Sequence, residues 1–347
     1  MSGQNLNAVF QAIGEGAFLI DTAKKTAACI VVFIFCFCAK HEDLTEYTAV
    51  KNLQTAGFSV AESAPAEQRT EVSPAQMRTL NRGEEVMKAF AAAYPDRIGA
   101  AEFRNEDWAV PVYGKRFYYA GGRLLPEELL STAANYDPQP FYSYHTELPE
   151  WKPPDDASAA RFKNAANQRQ ERPSRRSYLF FDTLLRAGDR DEAYKRVKSI
   201  RLFGWNVLVH YSIMEELALV EERINASAEN DPEVKRWLAN ISSLSGWNWR
   251  GIADTGSRSF HAYGTAIDIV MKPQPGKETY WLWSAQKGVD WWNVSYSNRL
   301  HPPNAVIEAF EAYGFVWGGK WLFFDTMHFE YRPEIFILNR LPMKKEK

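Results

Sequence analysis

Cysteine is nearly absent from this chain of 347 residues, and the three that occur, Cys29, Cys36 and Cys38, all fall in one apolar run near the N-terminus. A domain downstream of that run has no disulfide and no cysteine ligand for a metal. Charge of one sign is lacking as well: 41 Lys and Arg stand against 43 Asp and Glu, a net charge of -2. Without a basic excess, nucleic acid is not an expected partner. The apolar run itself, Thr26 to Ala39, has fourteen residues, short of the about 20 that a membrane-spanning helix needs. H-E-x-x-H, G-x-S-x-G and phosphate-cradling glycine loops are missing. What is present is ample apolar material: 46% hydrophobic residues over this length support two modest domains, or one domain with an elaborate N-terminal extension.

The apolar run follows Lys24-Lys25 and gives way to Lys40-His41-Glu42-Asp43. That is the pattern of an export signal. Residues 1–40 are therefore read as a signal peptide or membrane anchor, the only expected membrane contact. Three fates are open: cleavage after Cys38, lipidation of Cys38 against the unfavourable Phe37, or retention as an anchor. Residues 41–82, rich in Ala, Glu, Ser, Thr and Gln and poor in periodicity, read as a flexible tether.

Two short segments carry the chemistry. The first runs Ser259-Phe-His261-Ala-Tyr-Gly264-Thr-Ala-Ile-Asp268 and the second Asp325-Thr-Met-His328-Phe-Glu330. Two neutral imidazoles and a carboxylate are a usual three-ligand set for catalytic Zn²⁺, with the fourth position left to water. His261 and Asp268 are seven residues apart. An extended strand would part them by roughly 23 Å, at about 3.3 Å per residue. A helix would still part them by roughly 10 Å. The chain must bend between them, and Gly264 is the residue that adopts an unusual φ cheaply. A loop bearing His261, a turn at Gly264 and a strand from about Ala266 to Val270 follow. Asp325 and His328 fit a turn feeding a second strand, on which His328 and Glu330 share one face and Phe329 and Tyr331 the other. One ion can reach both strands only if they are neighbours, so an antiparallel pair is expected.

The pattern S-x-H-x-x-G-x-A-x-D followed by D-x-x-H resembles the zinc D-alanyl-D-alanine carboxypeptidases, the vancomycin-resistance D,D-dipeptidases and the phage L-alanyl-D-glutamate endopeptidases. Trp249-Arg250 ahead of the first motif and Gly314-Phe-Val-Trp317-Gly-Gly-Lys-Trp321 ahead of the second extend the resemblance over about residues 200 to 335. It implies His261, Asp268 and His328 as ligands of one Zn²⁺. Asp325 would be the general base or acid, and Arg250 would bind the substrate carbonyl or carboxylate. Ser259 is expected to hydrogen-bond within the motif loop, and Glu330 either orients a ligand imidazole or is a half-exposed strand residue. The fold implied is the small zinc-peptidase (Hedgehog/D,D-peptidase-like) α+β fold, an antiparallel sheet backed by helices.

That resemblance points to a zinc-dependent peptidase acting on peptidoglycan stem peptides. It would be exported from a bacterial cytoplasm, and periplasmic or membrane-anchored. Two alternatives stand beside it. One is a catalytically inactive, exported cell-wall-binding protein. The other is a serine D,D-peptidase built on Ser284-Ala-Gln-Lys287, for which no K-T-G follows. His41, His145, His210 and His301 are read as structural.

Elsewhere, Val86, Phe90, Ala93 and Tyr94 have helical spacing that stops at Pro95, and glycines between Trp108 and Leu125 predict hairpins. Residues 136–176 read as loop, with Arg169, Arg172, Arg175 and Arg176 as a solvated face. Ser212 and Glu215 form a capping box ahead of the stripe Ile213, Leu217, Val220 and Ile224. A second helix lies between Pro302-Pro303 and Gly314, with Val306, Ile307 and Phe310 inward. The stretch from Trp281 to Trp292 reads mostly as core. Residues 83–198 thus form an accessory N-terminal region of hairpins and loops, and 199–340 the catalytic domain.

Overall fold

A computed structural model describes residues 74–148, 150–172, 174–250 and 258–344. The leader expected over 1–40 and most of the tether lie outside the described residues. Among the described residues, no helix is long and apolar enough to cross a membrane.

The N-terminal half runs α1 (Pro74–Ala93), β1 (Glu102–Arg104), β2 (Asp107–Val112), β3 (Lys115–Tyr118), β4 (Leu125–Pro126), α2 (Asp156–Glu171), α3 (Leu179–Leu184) and α4 (Arg190–Arg196). Strands β1 to β4 form an antiparallel meander in sequence order. The expected glycine turns lie between β2 and β3, with Gly114 at φ 84°, and between β3 and β4, while Asn105-Glu106 joins β1 to β2. Val86 and Phe90 are fully buried against Val110, Phe117 and Phe180.

Three features here differ from the sequence expectation. Helix α1 begins at Pro74, inside the stretch read as tether, because a proline at the first helical position is already set for helical φ. Within 136–176 lies α2, opened by Asp155, whose side chain accepts from Ser158 N–H at 2.7 Å. Its composition favours helix, but its apolar face is only Phe162, Ala165 and Ala166, too short a stripe to betray one. The arginines in its last turn and beyond are not simply solvated: the Arg169 guanidinium lies 3.9 Å from the Phe323 ring centre, and Arg176 Nε donates to Pro138 O at 2.9 Å.

The C-terminal half continues with β5 (Val197–Leu202), β6 (Trp205–His210), α5 (Met214–Asn230), α6 (Pro232–Ala239), β7 (Ile241–Ser245), α7 (Phe260–Tyr263), β8 (Ala266–Met271), α8 (Trp281–Gln286), α9 (Asn304–Ala312), β9 (Phe315–Trp317), β10 (His328–Tyr331) and α10 (Pro333–Leu338). Its main sheet has the order β7-β8-β10-β9, antiparallel throughout. The class is α+β. Strand parity sorts the faces of this sheet. Ile267 and Ile269 of β8 and Phe329 of β10 enter one core with Leu217, Val220 and Ile224 of α5 and Val306, Ile307 and Phe310 of α9. Phe329 stacks on Phe310 with ring centres 3.9 Å apart. The alternate positions, Asp268, His328 and Glu330, turn to the other face.

The apolar stripe of α5 is as expected, but its cap is not: the Ser212 hydroxyl bonds His210 Nδ1 at 2.8 Å. A short 3-10 turn over Tyr211–Ile213 leads into the helix and displaces Ser212 from the capping position. Trp281 and Trp291 are buried with Phe323, Phe324 and Met327, while Trp283 and Trp292 pack at the edge of that cluster. This cluster braces the second motif: Trp281 N–H donates to Phe324 O at 2.9 Å and Thr326 N–H to Thr279 O at 2.9 Å.

Candidate metal centre

The first motif is a single helical turn where a loop was expected. Ser259 caps α7, its side-chain oxygen accepting from His261 N–H at 3.2 Å, and Gly264 ends it in the left-handed region at φ 75°. A Cβ on Gly264 would lie 2.8 Å from His210 N and 2.9 Å from Val197 Cγ1, so the turn passes against β5 and β6 where only glycine fits. The chain then enters β8 and presents Asp268. Across the ladder, Asp268 is the direct partner of His328 on β10.

Hydrogen bonding decides which nitrogens face the centre. His261 Nδ1 lies 2.7 Å from Gly246 O. A carbonyl only accepts, so Nδ1 carries the proton and Nε2 is bare in the neutral ring. His328 Nε2 lies 3.2 Å from a carboxylate oxygen of Glu330, which leaves Nδ1 bare in the same way. The two bare nitrogens are 3.2 Å apart. His328 Nδ1 is 3.0 Å from Asp268 Oδ1, and His261 Nε2 is 3.1 Å from Asp268 Oδ2. One donor atom from each residue lies within 4.8 Å of the other two, and all three residues are at most 1% exposed. Asp268 Oδ2 is buried without a hydrogen bond. Lone pairs converging on one point in a dry interior repel one another unless a cation sits among them, and this donor set is one that holds a divalent metal.

Asp325 lies in the turn before β10 and is also buried. Its Oδ1 accepts from Met327 N–H at 3.2 Å, and its Oδ2 has no hydrogen-bond partner. Burial, reinforced by the charge of Asp268, raises its carboxyl to about 7. Burial would raise the Asp268 carboxyl too, but the His261 and His328 side chains that face it outweigh that and hold the group well below the usual carboxylate range. Two neighbouring carboxyls are thus pushed apart, one toward a permanent anion and one toward a proton carrier near neutrality.

Glu330 is fully buried against the His328 ring, not half-exposed. Arg332 Nη1 donates to its other oxygen at 2.9 Å. Trp321 packs 5.5 Å from the His328 ring, centre to centre. Arg250 is partly buried, two residues beyond Asn248, whose N–H donates to His261 O at 3.0 Å. Ser284 does not form a serine-peptidase site: its hydroxyl donates to Glu278 at 2.6 Å, and Lys287 pairs with the same carboxylate at 3.2 Å. The Gly246 carbonyl left no sequence signal, being backbone. The alternation Glu330-Tyr-Arg332-Pro-Glu334 was visible in the sequence but silent as to purpose.

Two histidines and a carboxylate converging from the α7 turn and two neighbouring strands, with a raised carboxyl nearby, have the form of a metal-assisted hydrolytic centre. Residues 253–331 match a family described as D-alanyl-D-alanine carboxypeptidase. That stretch, which holds His261, Asp268, Asp325 and His328, is similar to the peptidase domain of this family. Residues 86–141 match a second family, described only as a domain of unknown function. No curated protein and no solved structure matches the chain.

Proposed function

We propose that this protein is a zinc-dependent peptidase that hydrolyses peptidoglycan stem peptides, at the terminal D-alanine or at the L-alanyl-D-glutamate bond. The observation that carries this reading is the tautomer lock on both histidines. Gly246 O and Glu330 each hold the outer imidazole proton, so the inner nitrogens and Asp268 are turned to one point. His261 Nε2, His328 Nδ1 and the Asp268 carboxylate would hold the ion. When bound, Zn²⁺ polarises the scissile carbonyl and acidifies a water from a pKa of 15.7 to about 7.

The chain's own residues supply the rest. Asp325 takes the proton of the attacking water at its free Oδ2 and delivers it to the leaving amine; its raised carboxyl favours both transfers near neutral pH. Arg250, with its planar fork of N–H donors, binds the substrate carbonyl or carboxylate. The same raised Asp325 weighs against an inactive wall-binding protein, which has no use for a proton carrier. Under this reading the catalytic domain over 199–340 has the Hedgehog/D,D-peptidase-like fold. Residues 1–40 direct export to the periplasm or anchor the chain in the membrane.

Mass spectrometry of defined muropeptides after incubation with the zinc-loaded protein tests the proposal, with Asp325→Asn as control. Loss of one alanine identifies a carboxypeptidase, and release of the peptide beyond L-alanine an endopeptidase. No product from wild-type protein with zinc bound would refute a peptidase and favour the binding reading.

A further inference from the structure

We propose that the N-terminal region is a positioning scaffold for the metal centre, acting through Tyr94 on the His328 strand and through Asp182 on the His261 turn. This rests on the zinc reading above. Nothing assigned to the region explains why a stretch of separate sequence character sends the buried Tyr94 and the half-buried Asp182 into the peptidase domain. A tethered wall-binding module would meet its neighbour through a smaller, wetter surface.

The first contact is a buried chain of charge. Tyr94, at the end of α1, donates its hydroxyl proton to Glu334 Oε2 at 3.1 Å. Arg332 Nε donates to the other oxygen of Glu334, and Arg332 Nη1 donates to Glu330 Oε1 at 2.9 Å. Glu330 Oε2 then takes the His328 Nε2 proton at 3.2 Å. Arg332, Glu330, Glu334 and His328 are at most 1% exposed and Tyr94 is 7% exposed. Strand pairing sets the backbone of His328, but the rotation and tautomer of its ring are set by the carboxylate behind it. Glu330 is in turn aimed by Arg332, which is clamped from the far side by Glu334, and Glu334 by Tyr94. In a low-dielectric interior each such bond is strong and directional, and loss of one leaves a charge short of its partner.

The second contact grips the other ligand segment. A single oxygen of Asp182 on α3 takes the Tyr263 hydroxyl proton at 2.7 Å and a bond from Arg258 Nη1. The Tyr178 hydroxyl oxygen accepts from Arg258 N–H at 2.9 Å. Arg258 and Tyr263 bracket His261 in the chain, so α3 holds both ends of the turn that presents it. The two grips also meet, since the Arg332 guanidinium lies 4.8 Å from the Phe260 ring centre and 5.7 Å from that of Phe181. The helices of one region thereby fix the two segments that must converge on one ion.

The test compares Tyr94→Phe, Asp182→Asn, Glu330→Gln and the Tyr94→Phe/Glu330→Gln pair in the full chain. It measures zinc dissociation constants by competition with a chromophoric chelator, and melting temperatures of the zinc-free proteins. Tyr94→Phe and Asp182→Asn should each weaken zinc binding on the order of tenfold or more at a temperature where the zinc-free variants remain folded. The double variant should lose less than the product of its single losses, because both changes cut one chain. Variants that melt lower but bind zinc as wild type does would overturn the scaffold while leaving the metal reading intact, as would multiplicative losses in the double variant. Wild-type protein that binds no zinc would overturn both.

Discussion

Asp268 and His328 stand directly opposite each other on neighbouring antiparallel strands, with Oδ1 and Nδ1 3.0 Å apart. Asp268 is the only anion among the three convergent donors, and neither imidazole can replace its charge. Asp268→Asn keeps shape and polarity but removes that charge. It should lower zinc affinity by more than about 100-fold, beyond the range for outer partners of a ligand. Metal analysis after dialysis against a weak chelator checks this; zinc retained at wild-type stoichiometry would contradict it.

Asp325 is outside the convergent donor set, so Asp325→Asn should leave zinc bound while turnover falls by about 10²–10⁴. The pH profile gives a sharper test. As a base Asp325 works when ionised, and its carboxyl is raised from 3.8 to about 7. The rate should therefore rise with pH as this group ionises, with bound zinc pulling the limb lower through its charge. That limb should be missing from the residual activity of Asp325→Asn.

Ser284→Ala should leave activity unchanged, because the hydroxyl is buried and already donated to Glu278. Its loss should cost about 1 kcal/mol of stability, the worth of one ordinary hydrogen bond. Chelation should abolish activity in both proteins, and added zinc restore it. Chelator-resistant turnover that Ser284→Ala removes would reinstate the serine-peptidase alternative.

His210 makes stability fall in mild acid. Burial holds its imidazole down to about 4, with Nε2 bonded to Leu185 O at 3.0 Å. The unfolded chain protonates it near 6.5. Between those values the unfolded state binds the proton and the native state does not, so the stability it contributes above pH 6.5 is lost as pH falls toward 4. Urea unfolding should show about 2 kcal/mol lost from this residue between pH 7 and pH 5. The difference should be absent in His210→Gln.

Much of the fold could be read from local pattern. The Gly264 turn and the strand beginning at Ala266 followed from spacing, and the buried stripes of α5 and α9 followed from helical period. Both signals work because burial repeats with the geometry of the element that carries it. Helix α2 escaped because its apolar face, Phe162, Ala165 and Ala166, is too short and too small to show a clear period. The capping box at Ser212 misled because the hydroxyl found a better partner in His210, which local sequence does not reveal.

The sequence by itself determined the chemistry available: which residues can hold a metal, which can carry a proton, and where the chain must bend to bring His261 toward Asp268. Only the tertiary structure decided which imidazole nitrogens face the centre, that Asp325 is raised while Asp268 is lowered, and that Tyr94 and Asp182 reach the motif segments. Ligand identity is a property of residue type and spacing. Tautomer, carboxyl ionisation and outer support depend on partners brought together by folding, such as Tyr94 and Glu334, 240 residues apart. They also depend on burial, which makes those few contacts count.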